Sequence, residues 1–171
     1  MKWIHKKPTS KIFYIKAVIT TLIVVLSMFF FMGRYRIGID PQINRCIPEY
    51  TVYLIDLKNQ RLEKKGFYAF YAKKLQPFFQ DGTWMVKRLT AMPGDRVEID
   101  KSAVITVNKK IVGKGLPLLE KLHMPQNALI GSAVLKNGHY WFMGESLLSF
   151  DSRYWGAVKD DQIIGRAYPL F

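Results

Sequence analysis

Sixteen consecutive residues, Ala17 to Met32 (AVITTLIVVLSMFFFM), carry no charge, and five lysines with no acid stand within residues 1–16. No other feature of this 171-residue chain restricts its fold as strongly. At about 1.5 Å per residue the uncharged run covers only about 24 Å of helix, short of a hydrocarbon layer of about 30 Å. Ile12 to Ile15 extend it toward the N-terminus, and Lys16 reaches the headgroups by snorkelling its ammonium. One spanning helix over residues 12–33 is therefore expected. A cleaved secretory leader would need small residues at a fixed spacing after the core. Here the core ends in Phe29, Phe30, Phe31 and Met32, then Gly33, Arg34, Tyr35 and Arg36, a poor cleavage site. A buried core helix fits no better behind five lysines.

The lysines orient the helix. Four precede it, Lys16 lies in its first turns, and only Arg34 and Arg36 follow closely, so the positive-inside bias favours a cytoplasmic N-terminus. The expected division is a basic cytoplasmic tail over residues 1–11, an anchor over 12–33 and an extracytoplasmic domain over 34–171. In a bacterium this places the chain in the inner (cytoplasmic) membrane, single-pass, with the domain in the periplasm or on the outer face.

That domain reads as mainly β. Short β-branched and aromatic runs recur: Tyr50–Ile55, Gly66–Tyr71, Thr83–Leu89, Arg96–Ile99, Ala103–Val107, His139–Met143 and Gln162–Ala167. Gly, Pro and Asn turns separate them, and Ala103–Val112 reads as a hairpin around Asn108-Lys109-Lys110. A short helix over residues 72–80, curtailed by Pro77, and a long surface excursion over 113–137 complete the expectation. Many short strands between turns argue a coiled, barrel-like β domain. With 49% apolar and 14% aromatic residues the chain is not disordered. One cysteine excludes an internal disulfide framework. His5, His123 and His139 are too scattered for a zinc site, so neither metal nor other cofactor is expected. Residues 34–171 carry an excess of eight bases, dispersed among the strands. No nucleic-acid partner is expected, while contact with anionic lipid stays open.

Three segments carry chemistry: Asn44-Arg45-Cys46-Ile47-Pro48, Met85 to Val97 and Gly144 to Gly156. Together they resemble the type I signal peptidase family of membrane-anchored Ser–Lys proteases. Lys87-Arg88 with Pro93-Gly94-Asp95 fits that family's K-R-x-x-x-x-P-G-D block. Gly144 to Arg153 resembles G-D-N-x-x-x-S-x-D-S-R, with Ser149, Asp151, Ser152 and Arg153 in its S-x-D-S-R half; it departs at Glu145 and Ser146 and is one residue shorter between Ser146 and Ser149. The segment around Cys46 is most similar to the conjugative-transfer (TraF-type) branch, where the nucleophile also sits two residues before a proline. Here Cys46 stands in place of the serine, and no serine lies between Ser27 and Ser102.

A peptide-cleaving dyad needs a nucleophile, a base and oxyanion donors. A lysine at its free pKa of about 10.4 is protonated and cannot accept a proton; desolvation disfavours the ammonium. Lys87, between Val86 and Leu89, is placed to be buried in this way, and Arg88 cannot substitute because a guanidinium stays charged. A thiol ionises more readily than a hydroxyl, which makes Cys46 a reasonable nucleophile. A buried inert cysteine and a degenerate protease are the alternatives. The resemblance implies oxyanion donation from the Cys46 N–H and the Asn44 side chain, the latter equally readable as an ordinary turn residue. It further implies that Ser149 orients the lysine and that Asp151 and Arg153 form a supporting ion pair.

The resemblance also implies the partners: the lipid bilayer, an exported precursor, and other components of a conjugation or secretion apparatus. The precursor is a conjugative pilin, cleaved and in some relatives cyclised, or more broadly any signal-peptide-bearing protein. A catalytically inactive binding subunit is the non-enzymatic alternative.

Overall fold

The structure is a computed structural model and describes residues 10–171. The basic tail expected at residues 1–11 lies outside the described residues except for Ser10 and Lys11. Contacts divide the chain into two units, residues 1–35 and 36–171.

The first unit contains helix α1, Lys11–Arg34. Its start follows from Ser10, whose hydroxyl accepts the Ile12 N–H at 3.2 Å and so satisfies one of the free donors of the first turn. Arg34 sits in the last turn, where a cation meets the negative end of the helix dipole. Twenty-four residues make about 36 Å of helix, and α1 is long and apolar enough to cross a membrane.

The second unit is mainly β, two antiparallel sheets built from short strands. In chain order these are β1 (Tyr35–Ile39), β2 (Val52–Asp56), β3 (Phe67–Tyr71), β4 (Trp84–Ala91), β5 (Arg96–Ile99), β6 (Val104–Val107), β7 (Lys110–Lys114), β8 (Gly131–Val134), β9 (His139–Met143), β10 (Val158–Lys159) and β11 (Ile163–Pro169). The larger sheet has the order β1-β2-β11-β3-β4-β9-β10 and the smaller β7-β6-β5-β8. A single-turn helix, α2 (Ser152–Trp155), follows β9.

The larger sheet is covered on both faces around β3. Tyr68 and Phe70 join Met85, Leu89 and Phe142 in one cluster, while Phe67 and Ala69 join Ile47, Tyr53, Ile55, Ile164 and Ala167 in another. The period of two along a strand separates the two sets. In the smaller sheet Val97, Ile99, Ile105 and Val107 are buried, while the intervening Arg96 and Glu98 are exposed. Asn108 and Lys109 both have positive φ, the twist that lets a two-residue loop join β6 to β7.

Asp95 joins the two sheets at the turn between β4 and β5. Its carboxylate accepts the Met92 N–H at 2.7 Å, the Asn108 amide at 2.7 Å and the Lys64 ammonium at 2.7 Å. Burial alone would raise its pKa; the Lys64, Met92 and Asn108 bonds overcome this and hold it below the ordinary carboxylate value.

Two expectations are corrected. Residues 72–80 form no helix. Ala72 exchanges hydrogen bonds with Thr83 and Gly82 across the β3–β4 connection, and Lys74 has positive φ, with its N–H held by the Asp81 carboxylate. The segment is spent closing a hairpin. Residues 113–137 are more than a surface excursion. β8 pairs with β5, and Leu116 is buried with Leu118, Leu119, Leu122 and Leu129 packed around it.

Candidate active site

Lys87 is placed by β4. Along this strand Met85, Lys87, Leu89 and Ala91 are the buried positions, so the lysine occupies a core site and is only 2% exposed. Its cross-strand partner on β3 is Tyr68, also buried. Lys87 forms no ion pair among the described residues.

On the other side of β4, Arg88 pairs with Met143 of β9. Gly144 follows at the end of β9. A Cβ built on Gly144 would overlap Ser149 Oγ and lie 2.7 Å from the Cys46 carbonyl oxygen. Only a glycine lets the loop bearing Ser149 and the segment bearing Cys46 meet here. The Cys46 carbonyl is held there by two donors, the N–H groups of Glu145 at 2.8 Å and Ser146 at 3.0 Å.

Ser149 is fully buried, and its hydroxyl has no hydrogen-bond partner among the described residues. A buried hydroxyl without a partner is costly, and this one lies against Gly144, the residue that also abuts the Cys46 carbonyl. Behind it, Asp151 and Arg153 form a bidentate buried ion pair, Nε to Oδ1 and Nη2 to Oδ2, both 2.8 Å. The pair braces the loop. Asp151 accepts the Gly144 N–H at 2.9 Å, and Arg153 donates to the Ser149 carbonyl at 3.0 Å. Burial would lower the Arg153 pKa; Asp151 outweighs it and raises it.

Cys46 itself is half-buried and carries a free thiol. It sits in an irregular stretch between β1 and β2, tied down by Arg45, whose guanidinium donates to the Thr51 hydroxyl. Cys46, Asn44 and Lys87 all line one groove of about 900 Å³, the upper end of the range for ligand clefts. Asn44 is exposed on it. Tyr53 is a buried part of the same lining, and burial, then Asp40 and Cys46, push its phenol up to about 12, so it remains a protonated donor. Among the described residues no group of three or more His, Cys, Asp or Glu is arranged to hold a metal ion.

The sequence reading missed two features. Glu145, where the signal-peptidase pattern has aspartate, pairs with Arg88, whose guanidinium also lies 4.5 Å over the Phe67 ring. The departure at 145 was visible, but its partner is 57 residues away in the chain. The far wall of the groove is built by Phe78, Phe79, Leu118, Leu122, Leu148 and Phe150. Leucines crowded between 116 and 122 were its one signal.

A profile of the family described as signal peptidase, peptidase S26, matches residues 10–171. Among curated proteins the chain is similar to signal peptidase IB of Staphylococcus aureus, 25% identical over 170 residues, covering 86% of this chain and 84% of that one. It is also similar to a probable signal peptidase I-2 of Synechocystis, 29% identical over 87 residues, covering 50% of this chain and 37% of that protein. Among solved structures, a signal peptidase I from Enterococcus faecalis aligns with a TM-score of 0.41 and 20% identity, over 64% of this chain and 98% of that one.

Proposed function

The chain belongs to the signal peptidase family, peptidase S26, and from that membership we propose that Cys46 and Lys87 are the nucleophile and general base of a membrane-anchored endopeptidase acting on exported precursors. The observation that carries the dyad is the junction at Gly144. A buried hydroxyl without a hydrogen-bond partner among the described residues and the backbone of a free cysteine meet at Gly144, and the buried Lys87 lines the same groove as that cysteine. Burial away from carboxylates is the setting in which lysines serve as bases.

The steps follow. The Lys87 amine takes the Cys46 thiol proton, and the thiolate attacks the scissile carbonyl carbon. The Cys46 N–H and the Asn44 amide donate to the oxyanion. Ser149 holds the lysine in line, and Asp151 with Arg153 holds the Ser149 loop. The intermediate collapses as protonated Lys87 gives its proton to the leaving amine, leaving a thioester on Cys46. Lys87 then activates water, which releases the new C-terminus and restores the thiol.

The placement we propose is N-terminus cytoplasmic, helix α1 in the inner membrane and residues 34–171 outside. An alkaline phosphatase fused after Phe171 is expected to be active in a bacterial host; an inactive fusion, with a cytoplasmic reporter active in its place, defeats the orientation. The substrate we propose is a conjugative pilin precursor, supported by the Cys46–Pro48 spacing. Removal of leader peptides from many precursors is the second reading. Its support is the S. aureus signal peptidase IB, which aligns over 84% of its length.

Processing assays on membranes test the dyad. Cys46→Ala and Lys87→Met are each expected to abolish cleavage while the protein stays folded; wild-type processing by either removes that residue from the mechanism. Cleavage of a pilin precursor alone supports the narrow substrate. Equal cleavage of an unrelated secreted precursor supports the broad one, and no cleavage of any precursor by the wild type favours a binding subunit.

A further inference from the structure

The groove that holds Cys46 and Lys87 continues into a second, chemically different end. Its wall comes from three separate segments: Phe78 and Phe79, the turn at residues 116–123, and Leu148 with Phe150. The wall is fixed. Phe79 stacks on Phe150 with ring centroids 5.9 Å apart, Phe78 lies 5.6 Å from the same ring, and Phe150 stacks on Tyr154. Tyr154 Oη accepts the Leu118 N–H at 3.2 Å, which ties the 116–123 turn to α2. Despite this order, Phe78 is 44% and Leu148 51% exposed. The wall thus presents large apolar side chains to the groove without covering them.

The charged residues of the lining are Asp40, Lys87 and Lys121. Asp40 already accepts the Gln42 N–H at 3.0 Å, and Lys87 is buried. Lys121 is exposed on the turn and forms no ion pair among the described residues. An apolar wall carrying one unpaired cation, continuous with the thiol and the buried amine, suits an extended peptide bearing a bulky apolar residue beside an acidic one.

We propose that Lys121 and the Phe78–Leu122–Leu148 wall form a specificity subsite that reads a carboxylate side chain adjacent to a large apolar side chain in the precursor. The proposal rests on the reading that this groove holds the precursor, and it adds a recognition element away from the bond that is cut. A second copy of this chain is the competing occupant; it offers no reason for Lys121 to face a groove that runs to the thiol.

The test uses the full chain in detergent micelles and a positional-scanning library of internally quenched peptides. One position is expected to favour Phe or Leu, and a neighbouring position Asp or Glu by about two- to fivefold, the worth of a partly exposed ion pair. Lys121→Glu is expected to transfer that second preference to Lys or Arg and leave the first intact. Leu122→Ala is expected to weaken the apolar preference, chiefly through KM. As a second measurement, full-length Cys46→Ala protein is titrated with a labelled Phe-Asp peptide and its Phe-Lys counterpart, and tighter binding of the acidic peptide is expected. Equal binding of the two, or a Lys121→Glu profile identical to wild type, overturns the subsite. Cleavage that still requires Cys46 in that case leaves the dyad standing. Dimerisation that Leu122→Asp abolishes, with flat peptide preferences, assigns the wall to a second copy and also overturns it.

Discussion

The two halves of the candidate dyad are held in opposite ways. Lys87 lies in the interior of the larger sheet, flanked by β3 and β9, with its side chain on a core face. Cys46 lies in a stretch without regular structure, between exposed Asn44 and exposed Pro48, and its carbonyl is held by the Glu145 and Ser146 N–H groups. Lys87 is held by the core, whereas Cys46 is held by a loop that the core braces. Damage to the core or to the brace should therefore appear in stability as well as activity, and substitution of Cys46 itself in activity alone.

The largest effect expected is at the brace itself. Asp151→Ala leaves Arg153 charged, buried and without its partner, which costs about 3–5 kcal/mol, a large share of an ordinary domain's 5–15. Denaturant unfolding of the solubilised protein measures it. A loss under about 1 kcal/mol would mean that Arg153 reaches water, and the contrast between the two halves would weaken.

Gly144→Ala comes next. The added methyl meets Ser149 Oγ and the Cys46 carbonyl, and overpacking of this kind costs about 1–3 kcal/mol. Unlike Asp151→Ala it also moves the nucleophile against the base. Processing is therefore expected to fall much further than stability does, as measured by turnover and unfolding on the same preparation. A proportionate loss of both would show that Gly144 serves only packing.

The same contrast decides what could be seen in the sequence. α1 shows as an uncharged run, and β4 as an alternation of two with Lys87 in phase with Met85, Leu89 and Ala91. Both patterns are local, so they can be read without the fold. β8 left no pattern, because Gly131, Ser132, Ala133 and Val134 are all exposed and nothing alternates. The helix expected at 72–80 failed because local propensity lost to the closing of the β3–β4 hairpin. Cys46 was legible only through its spacing to Pro48 and its order relative to Lys87 and Gly144. The Arg88–Glu145 pair and the Phe78–Leu122–Leu148 wall depend on contacts between distant segments, which no window of the sequence contains.

Cys46→Ser isolates the nucleophile side. The residue is half-buried and among the described residues its side chain makes no hydrogen bond that a hydroxyl would break, so stability should stay within about 0.5 kcal/mol of wild type. Processing is expected to fall without vanishing, since a lysine can activate a hydroxyl but the thiolate is the better nucleophile. Thiol alkylation should inactivate the wild type and spare the variant. Inactivation of both by the reagent would place the modified group elsewhere.

The smallest effect sits farthest from the dyad, at Asp95, and has a definite sign. Lys64, Met92 and Asn108 depress its folded pKa, while the unfolded carboxyl keeps an ordinary value of about 3.9. The unfolded state therefore binds the proton first as the pH falls. The stability contributed by Asp95 is fully present above that ordinary value and is lost as the pH drops through it toward the folded pKa. Asp95→Asn removes the titration but keeps a polar side chain against Asn108. Between about pH 5 and 3 the wild type is expected to lose more stability than the variant, read as the difference in their unfolding midpoints across that window. Parallel pH profiles would mean that the junction between the two sheets does not depend on this charge, leaving the Asn108–Arg96 hydrogen bond and apolar packing to hold it.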